Sequence, residues 1–379
     1  MRRNCFIDNQ KIKNLTEYNW NILGLKKNKI GFGLCPKCNL VLQTPSLSKK
    51  KVLNYYKNTS IYFENLIKPS TNLKNTTKRH LNLIRKNVKL KPKNVLEVGI
   101  STNYNFKQYL NYGVEKFQGL EPSKFIAKKF KKSKFKIFNS TIEDHKFKSN
   151  YDLIILSHVI EHLIDPLKCL SKCSKSQKNG DHLLIEVPLL EKPNLFPPCY
   201  FNIEHLNYFN FYNLNLMMNK LSYEVVAKKK VFKGAEYPVI TILCRKKLNL
   251  KRKFFRNIKT DIVVKKYLKK ENIFWSKIDK KLKFLDKKKS TYLFGAGLHS
   301  SMILEKTNIL KKLNVKGIID SSKLKQGKKF GQYYVFSPAI LKSLKKTNII
   351  ISTFSGEKEI FSSIKKINKK NLNIVKLYS

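Results

Sequence analysis

Several short stretches of this chain hold residues whose types and spacing can do chemistry. Val95-Leu-Glu-Val-Gly99 is an apolar run that stops at a glycine, and a second run, Lys116-Phe-Gln-Gly-Leu, ends at Glu121. A glycine there lets the backbone turn sharply, and a helix starting after it offers free N–H groups, so a ligand can sit close to the chain. An acid about 20 residues beyond such a turn can grip the hydroxyls of a ribose. His158-Val-Ile-Glu161-His162 brings two imidazoles and a carboxylate together, and Glu204-His205 adds a second acid–imidazole pair. Near the start, Cys35-Pro-Lys-Cys38 sets two thiolates at a spacing that holds one zinc ion from a tight turn. Cys5-Phe-Ile-Asp8 offers the matching half-site, with Asp8 in place of a fourth cysteine. Reduced, metal-free cysteines are the competing account, and a redox role is disfavoured because the motif does not open a helix.

The elements that must position these residues follow from periodicity. Strands are expected at Asn94–Val98, Lys116–Leu120, Phe135–Phe138, Tyr151–Leu156 and His182–Val187, with helices such as Pro166–Ser174 and Tyr212–Leu221. Strands separated by helices predict a parallel sheet covered on both faces. Glu224–Ala227 and Pro238–Leu243 have only a short connection and read as an antiparallel hairpin at its edge. Residues 52–90 read as a connector with a helix around Lys78 to Asn87 and the aromatics Tyr55, Tyr56, Tyr62 and Phe63, which either orient substrate or, more simply, pack against a domain face. Pro188 to Phe211, stiffened by Pro193, Pro197 and Pro198, reads as a lid leaving a strand end. After a helical stripe of Phe274, Ile278, Leu282 and Leu285, the strand–glycine–helix plan recurs at Thr291-Tyr-Leu-Phe-Gly-Ala-Gly297, with Asp320 at the end of the next strand. The literal H-x-x-E-H pattern at 158–162 also matches a zinc protease motif, but it follows directly on a strand rather than lying within a helix.

The count and order of these elements resemble a class I S-adenosylmethionine-dependent methyltransferase. Val95–Gly99, Gly119-Leu-Glu-Pro-Ser123, Tyr151–His162 and Asn179–Pro188 stand where that family's motifs do. Glu204-His-Leu-Asn-Tyr-Phe209 resembles the sugar C-methyltransferases, although Asn202 and Ile203 replace the Tyr-His that usually precedes the pair. The Gly295-Ala-Gly297 turn, with Ile319-Asp-Ser-Ser-Lys-Leu-Lys-Gln-Gly-Lys328, resembles their C-terminal domain, which helps hold a nucleotide-sugar. The resemblance implies an α/β, Rossmann-like class I methyltransferase core with a small N-terminal zinc-binding-like unit and a second C-terminal Rossmann-like domain. The boundaries expected are 1–55 for the zinc-binding unit, 56–90 for a helical connector, 91–246 for the methyltransferase domain, 247–289 for a helical linker and 290–379 for the last domain. It also implies S-adenosylmethionine as cofactor, lined by Glu97, Gly99, Ser101, Asn103, Glu121 and His158. Ser101 and Asn103 depart from the usual glycines, so a non-catalytic relative is an alternative. The acceptor side would carry His205 as base, Glu204 to orient or assist it, and His162 against substrate; Cys5, Asp8, Cys35 and Cys38 would hold one structural zinc. If the acceptor is carbon beside a ketone, a histidine base with a pKa near neutrality suits it. Sugar O-methylation uses the same parts.

Composition bounds these readings. The chain has 379 residues, 42% hydrophobic and 12% aromatic, which suits globular domains rather than disorder. The formal charge of +53 is spread over nearly every segment. It keeps a nucleic-acid-binding methyltransferase as the second reading, against which no Asn-Pro-Pro-Tyr-type base-flipping motif is present. No signal peptide or membrane span is expected, and seven cysteines do not suggest a disulfide framework, so a cytoplasmic protein, monomeric or weakly dimeric, with a small-molecule substrate is the expectation.

Overall fold

The computed structural model describes residues 2–22, 25–58, 69–100, 102–130, 135–233, 235, 237–248, 259–353, 356–367 and 372–378. Ser101, Tyr62 and Phe63, and the side chain of Tyr55, lie outside this set, as do residues 249–258 of the expected linker. The chain forms two compact units: Met1–Leu15 with Phe32–Phe196 and Glu204–Val263, and Thr16–Gly31 with Pro197–Ile203 and Val264–Ser379.

The N-terminal strands are β1 (Lys13–Ile22), β2 (Leu25–Leu34) and β3 (Val41–Gln43), followed by α1 (Lys49–Asn58) and α2 (Thr71–Asn87). α2 begins seven residues before the helix expected from periodicity, because the Ser70 hydroxyl accepts from the Leu73 N–H and caps its first turn. The core then runs β4 (Asn94–Val98), α3 (Asn103–Tyr112), β5 (Lys116–Leu120), α4 (Lys124–Lys129), β6 (Lys136–Phe138), β7 (Leu153–Ser157), α5 (Pro166–Lys175) and β8 (His182–Pro188). It closes with β9 (Asn207–Tyr208), α6 (Phe211–Lys220), β10 (Tyr223–Val231) and β11 (Val239–Lys246).

One seven-stranded sheet, ordered β10-β11-β8-β7-β4-β5-β6, is the frame of this unit. Neighbours from β8 to β6 are parallel, while β11 and β10 are antiparallel, as the hairpin expectation required. The near-continuous apolar strands explain the two-sided burial: Leu96, Val98, Ile154, Leu156, Leu183 and Ile185 pack on one face, and Val95, Leu153, Ile155 and Leu184 on the other. Asp165 caps α5 ahead of Pro166, and Asn210 and Asn213 form a reciprocal capping box on α6. Because the chain leaves β4 toward β5 and β6 but returns on the other side at β7 and β8, the carboxyl ends of β4 and β7 flank a switch point, where α/β sheets bind ligands.

The Pro188–Phe211 stretch is not a free lid. Within it β9 pairs antiparallel with β3, Leu206 N–H donates to the Glu161 carbonyl at 2.7 Å, and the Gln43 amide donates to the His205 carbonyl at 2.9 Å. The buried Arg3 guanidinium adds bonds to the Leu206 carbonyl and the Asn207 side chain.

The second unit holds most of α7 (Thr260–Leu282) and then β12 (Ser290–Phe294), α8 (Leu298–Lys306), β13 (Asn314–Ile319), β14 (Lys329–Phe330), β15 (Tyr333–Phe336), β16 (Thr347–Ile351), α9 (Glu357–Ile367) and β17 (Leu372–Lys376). Its sheet is ordered β14-β15-β13-β12-β16-β17 and is parallel except for the β14–β15 pair. Among the described residues no helix is long and apolar enough to cross a membrane.

Candidate active site

Gly99 ends β4 with φ +77°, and its N–H donates to the Leu120 carbonyl at 2.8 Å. A Cβ at this position would come within 2.8 Å of Val159 Cγ2. The turn therefore needs glycine both for its left-handed backbone and for space. Asn103 is the exposed first residue of α3, whose cap is Thr102. Glu97 is buried, and its Oε1 accepts from the Asn105 amide at 2.7 Å. Its Oε2 is buried with no hydrogen-bond partner among the described residues, and burial pushes its pKa up to about 7. Glu121, at the end of β5, is also buried; its Oε1 accepts from the Ser123 N–H at 2.7 Å. Burial outweighs that bond and pushes the carboxyl up to about 8. An orphaned acceptor and a second buried acid beside a left-handed glycine fit a ligand that brings an ammonium group and ribose hydroxyls, as S-adenosylmethionine does.

The other side of the switch point is built from imidazoles. His158 follows β7 with φ +54°, held there by its own N–H bond to the Glu186 carbonyl at 2.9 Å. Its Nδ1 lies 3.3 Å from Glu161 Oε1 and its Nε2 3.5 Å from Glu186 Oε1. Burial would lower its pKa, but the two carboxylates win and carry it up to about 10. Ile160–His162 is a single tight turn rather than an α-helix, so the H-x-x-E-H run does not present both histidines from one helical face as a zinc protease would. His162 Nδ1 is 3.0 Å from the Glu204 carbonyl oxygen and 2.8 Å from the Tyr56 hydroxyl; since a carbonyl only accepts, that nitrogen carries a proton. His205 stacks edge-on to His162 with ring centroids 5.0 Å apart. Ligand atoms of Glu161, His162 and His205 all lie within 4.8 Å of one another. His205 is buried, and desolvation, with His162 beside it, lowers its pKa to about 3, well below the neutral value expected of a base.

Sequence reasoning missed the anchor beneath these groups. Glu186 is fully buried near the end of β8. Arg79 on α2 forks onto it, Nη2 to Oε1 at 2.6 Å and Nε to Oε2 at 2.9 Å. His80 Nε2 at 3.1 Å and the Thr241 hydroxyl complete Oε2. Burial works against ionisation here, but these donors, His80 first among them, hold the Glu186 carboxyl well below the usual carboxylate range. Arg79-His80 within an amphipathic helix before the core was the available signal. Tyr56, set aside as one of several packing aromatics, is the residue that touches His162.

Cys5, Asp8, Cys35 and Cys38 do come together, with ligand atoms within 4.8 Å of one another and the Cys5 and Cys38 sulfurs 3.5 Å apart. In the second unit, Asp320 Oδ2 accepts from the Ala296 N–H at 2.7 Å and from Lys325 Nζ at 3.0 Å, while Oδ1 accepts from the Ser322 N–H at 2.8 Å. That acid is engaged from within its own turn.

Residues 73–228 match a family model described as a methyltransferase domain. No curated protein matches the chain. Among solved structures, the chain is similar to the N-methyltransferase NodS of Bradyrhizobium japonicum WM9, with 10% identity over 52% of this chain and 97% of that one and a TM-score of 0.40. It is also similar to the magnesium protoporphyrin IX methyltransferase of Synechocystis PCC 6803, at 10% identity over 52% and 100% of the two chains and a TM-score of 0.42. A third is the Burkholderia thailandensis 1,6-didemethyltoxoflavin-N1-methyltransferase, at 10% identity over 56% and 97% and a TM-score of 0.42. The family match, the seven-stranded order with its terminal antiparallel pair, and the Gly99–Glu121 turn define a class I S-adenosylmethionine-dependent methyltransferase domain. The part of the chain so matched, residues 73–228, is a methyltransferase domain.

Proposed function

We propose that this methyltransferase acts on a nucleotide-linked sugar, at a carbon beside a ketone or at a hydroxyl, in glycan or deoxysugar biosynthesis. His205 is the base, Glu204 and His162 assist on the acceptor side, and Glu97, Gly99, Ser101, Asn103, Glu121 and His158 line the cofactor. The acceptor class rests on the resemblance of Glu204–Phe209 and of the Gly295-Ala-Gly297 turn to the sugar C-methyltransferases. The base assignment rests on the resemblance at Glu204-His205 and on one observation: the His205 ring sits beside His162, with ligating atoms of Glu161, His162 and His205 within 4.8 Å of one another.

S-adenosylmethionine, when bound, supplies a methyl group whose sulfonium leaving group is already activated. The chain's own work is to position the acceptor and remove its proton. An imidazole nitrogen of neutral His205 takes the proton from the acceptor, leaving an electron pair on the atom to be methylated. Neighbouring Glu161 favours the resulting imidazolium, since its charge already raises the His205 pKa against burial. Glu204 serves through its carbonyl, which fixes the His162 tautomer, and Tyr56 shares that nitrogen.

General-base removal of this kind is worth about 100-fold to 10,000-fold. His205→Ala is therefore expected to lower turnover at least about 100-fold on the nucleotide-sugar that the wild type methylates, with calorimetric affinity for S-adenosylmethionine nearly unchanged. Unaltered turnover would sink the base assignment, and failure of every nucleotide-sugar in a panel to bind would sink the acceptor class.

We further infer that Cys5, Asp8, Cys35 and Cys38 hold one structural zinc. Three thiols and a carboxylate from two turns are a donor set suited to a closed tetrahedral site. With it we propose the division into a zinc-binding unit (1–55), connector (56–90), methyltransferase domain (91–246), linker (247–289) and a C-terminal Rossmann-like domain (290–379).

A further inference from the structure

Glu186 receives more hydrogen bonds than a carboxylate needs merely to be buried, and it takes them from three elements: Thr76, Arg79 and His80 on α2, Thr241 on β11, and His158 after β7. All of them converge on one side of the switch point, next to a non-glycine residue in left-handed backbone. A backbone of that kind is retained only where the surroundings over-determine it, and such positions cluster at functional sites. His158 has a partly open side chain, 33% exposed, whereas Glu186 and Glu161 are closed off.

We propose that His158, clamped between Glu161 and Glu186, is a catalytic group that lies against the methyl acceptor and stabilises its developing negative charge, and that Glu186, presented by Arg79, is its positioning residue. The proposal rests on the reading of His205 as the base. When the acceptor proton moves to His205, the electron pair stays on the acceptor; it forms the new bond to the methyl carbon as the carbon–sulfur bond breaks and its pair goes to sulfur. Negative charge thus builds on the acceptor beside His158 before methyl transfer relieves it. A fixed cation at that place is worth most where water is excluded and its orientation is settled beforehand. The groups facing His158 are Glu161 and His162 from its own turn, Glu186 from β8, His205 from the segment before β9 and the Tyr237 ring, 6.1 Å away. Among the described residues, only the two carboxylates lie within salt-bridge range of its ring, and of these Glu186 is the one held by an arginine fork.

The test combines imidazole NMR titration of the whole chain with steady-state kinetics. In the wild type the His158 ring is expected to stay protonated through pH 9 and the alkaline limb of kcat/KM to fall near its deprotonation. In Glu186→Gln the ring titration and that limb are expected to move down together by at least about one unit, since one carboxylate of the pair is gone, while affinity for S-adenosylmethionine holds. Arg79→Lys, which keeps the charge but loses the fork, should shift both in the same direction by less. His158→Asn should lower kcat about 100-fold. The proposal is overturned if the ring titration of Glu186→Gln or, should that variant not fold, of Arg79→Lys stays at the wild-type position. It is also overturned if the kinetic limb does not follow the ring, or if His158→Asn retains its kcat. Activity surviving in His205→Ala would instead remove the base assignment and leave the ring titrations standing.

Discussion

Glu121 shows at the scale of one residue how a binding group costs stability. Its carboxyl is buried with one backbone donor and no cation within salt-bridge distance among the described residues, and its pKa rises to about 8 against roughly 4.3 in an unfolded chain. The folded state therefore binds more protons than the unfolded state between those values. Stability from this group is fully present below about pH 4.3 and lost as pH rises through about 8. Glu121→Gln should raise the melting temperature of the ligand-free protein at pH 8.5 while leaving it nearly unchanged at pH 5. The same change should weaken S-adenosylmethionine binding about 10-fold or more at pH 8.5, the worth of a hydrogen bond to a charged group. Equal melting temperatures at the two pH values in wild type and variant would refute this assignment. Tyr56 makes the complementary point: it meets His162 from 106 positions away, a pairing that no local pattern encodes.

At the scale of elements, the β4–α3 turn and the β7 terminus do the positioning. Both end in left-handed residues, Gly99 and His158, one a glycine and the other not. Gly99→Ala forces a Cβ to 2.8 Å from Val159 Cγ2 as well as an unfavourable backbone. A stability loss of at least about 1–2 kcal/mol is expected by denaturant unfolding, together with weaker cofactor binding. Adding Val159→Ala should restore part of the stability but not the backbone component; full restoration would mean that crowding alone explains the glycine. The strand and helix order was legible because parallel strands buried on both faces read as continuous apolar runs, and the caps at Asp165 and Asn210 mark their own helices. The early start of α2 and the tying down of the stretch before β9 were not. Ser70 is an ordinary polar residue until its hydroxyl meets the Leu73 N–H, and a two-residue strand carries no periodicity.

For the whole molecule, 78 lysines and arginines against 25 acids make every buried carboxylate conspicuous. Those in the first unit, Glu97, Glu121, Glu161 and Glu186, gather at the carboxyl ends of the sheet strands rather than on the surface. At the N-terminus, the Cys5–Asp8–Cys35–Cys38 cluster predicts one zinc per chain by metal analysis. Cys38→Ser should lose the metal and several degrees of melting temperature, because binding free energy at a structural site is folding free energy; full stability of metal-free protein would rule the site out. The sequence alone determined the kind of core and the glycine turn, since these depend on local backbone needs and on patterns repeated along the chain, and it singled out the acids and imidazoles proposed for the site. Only the tertiary structure decided which imidazole lies between two carboxylates and which is buried, and that Arg79 and Glu186 stand behind His158. Those outcomes depend on desolvation and on partners brought from distant segments, and neither leaves a trace in residue order.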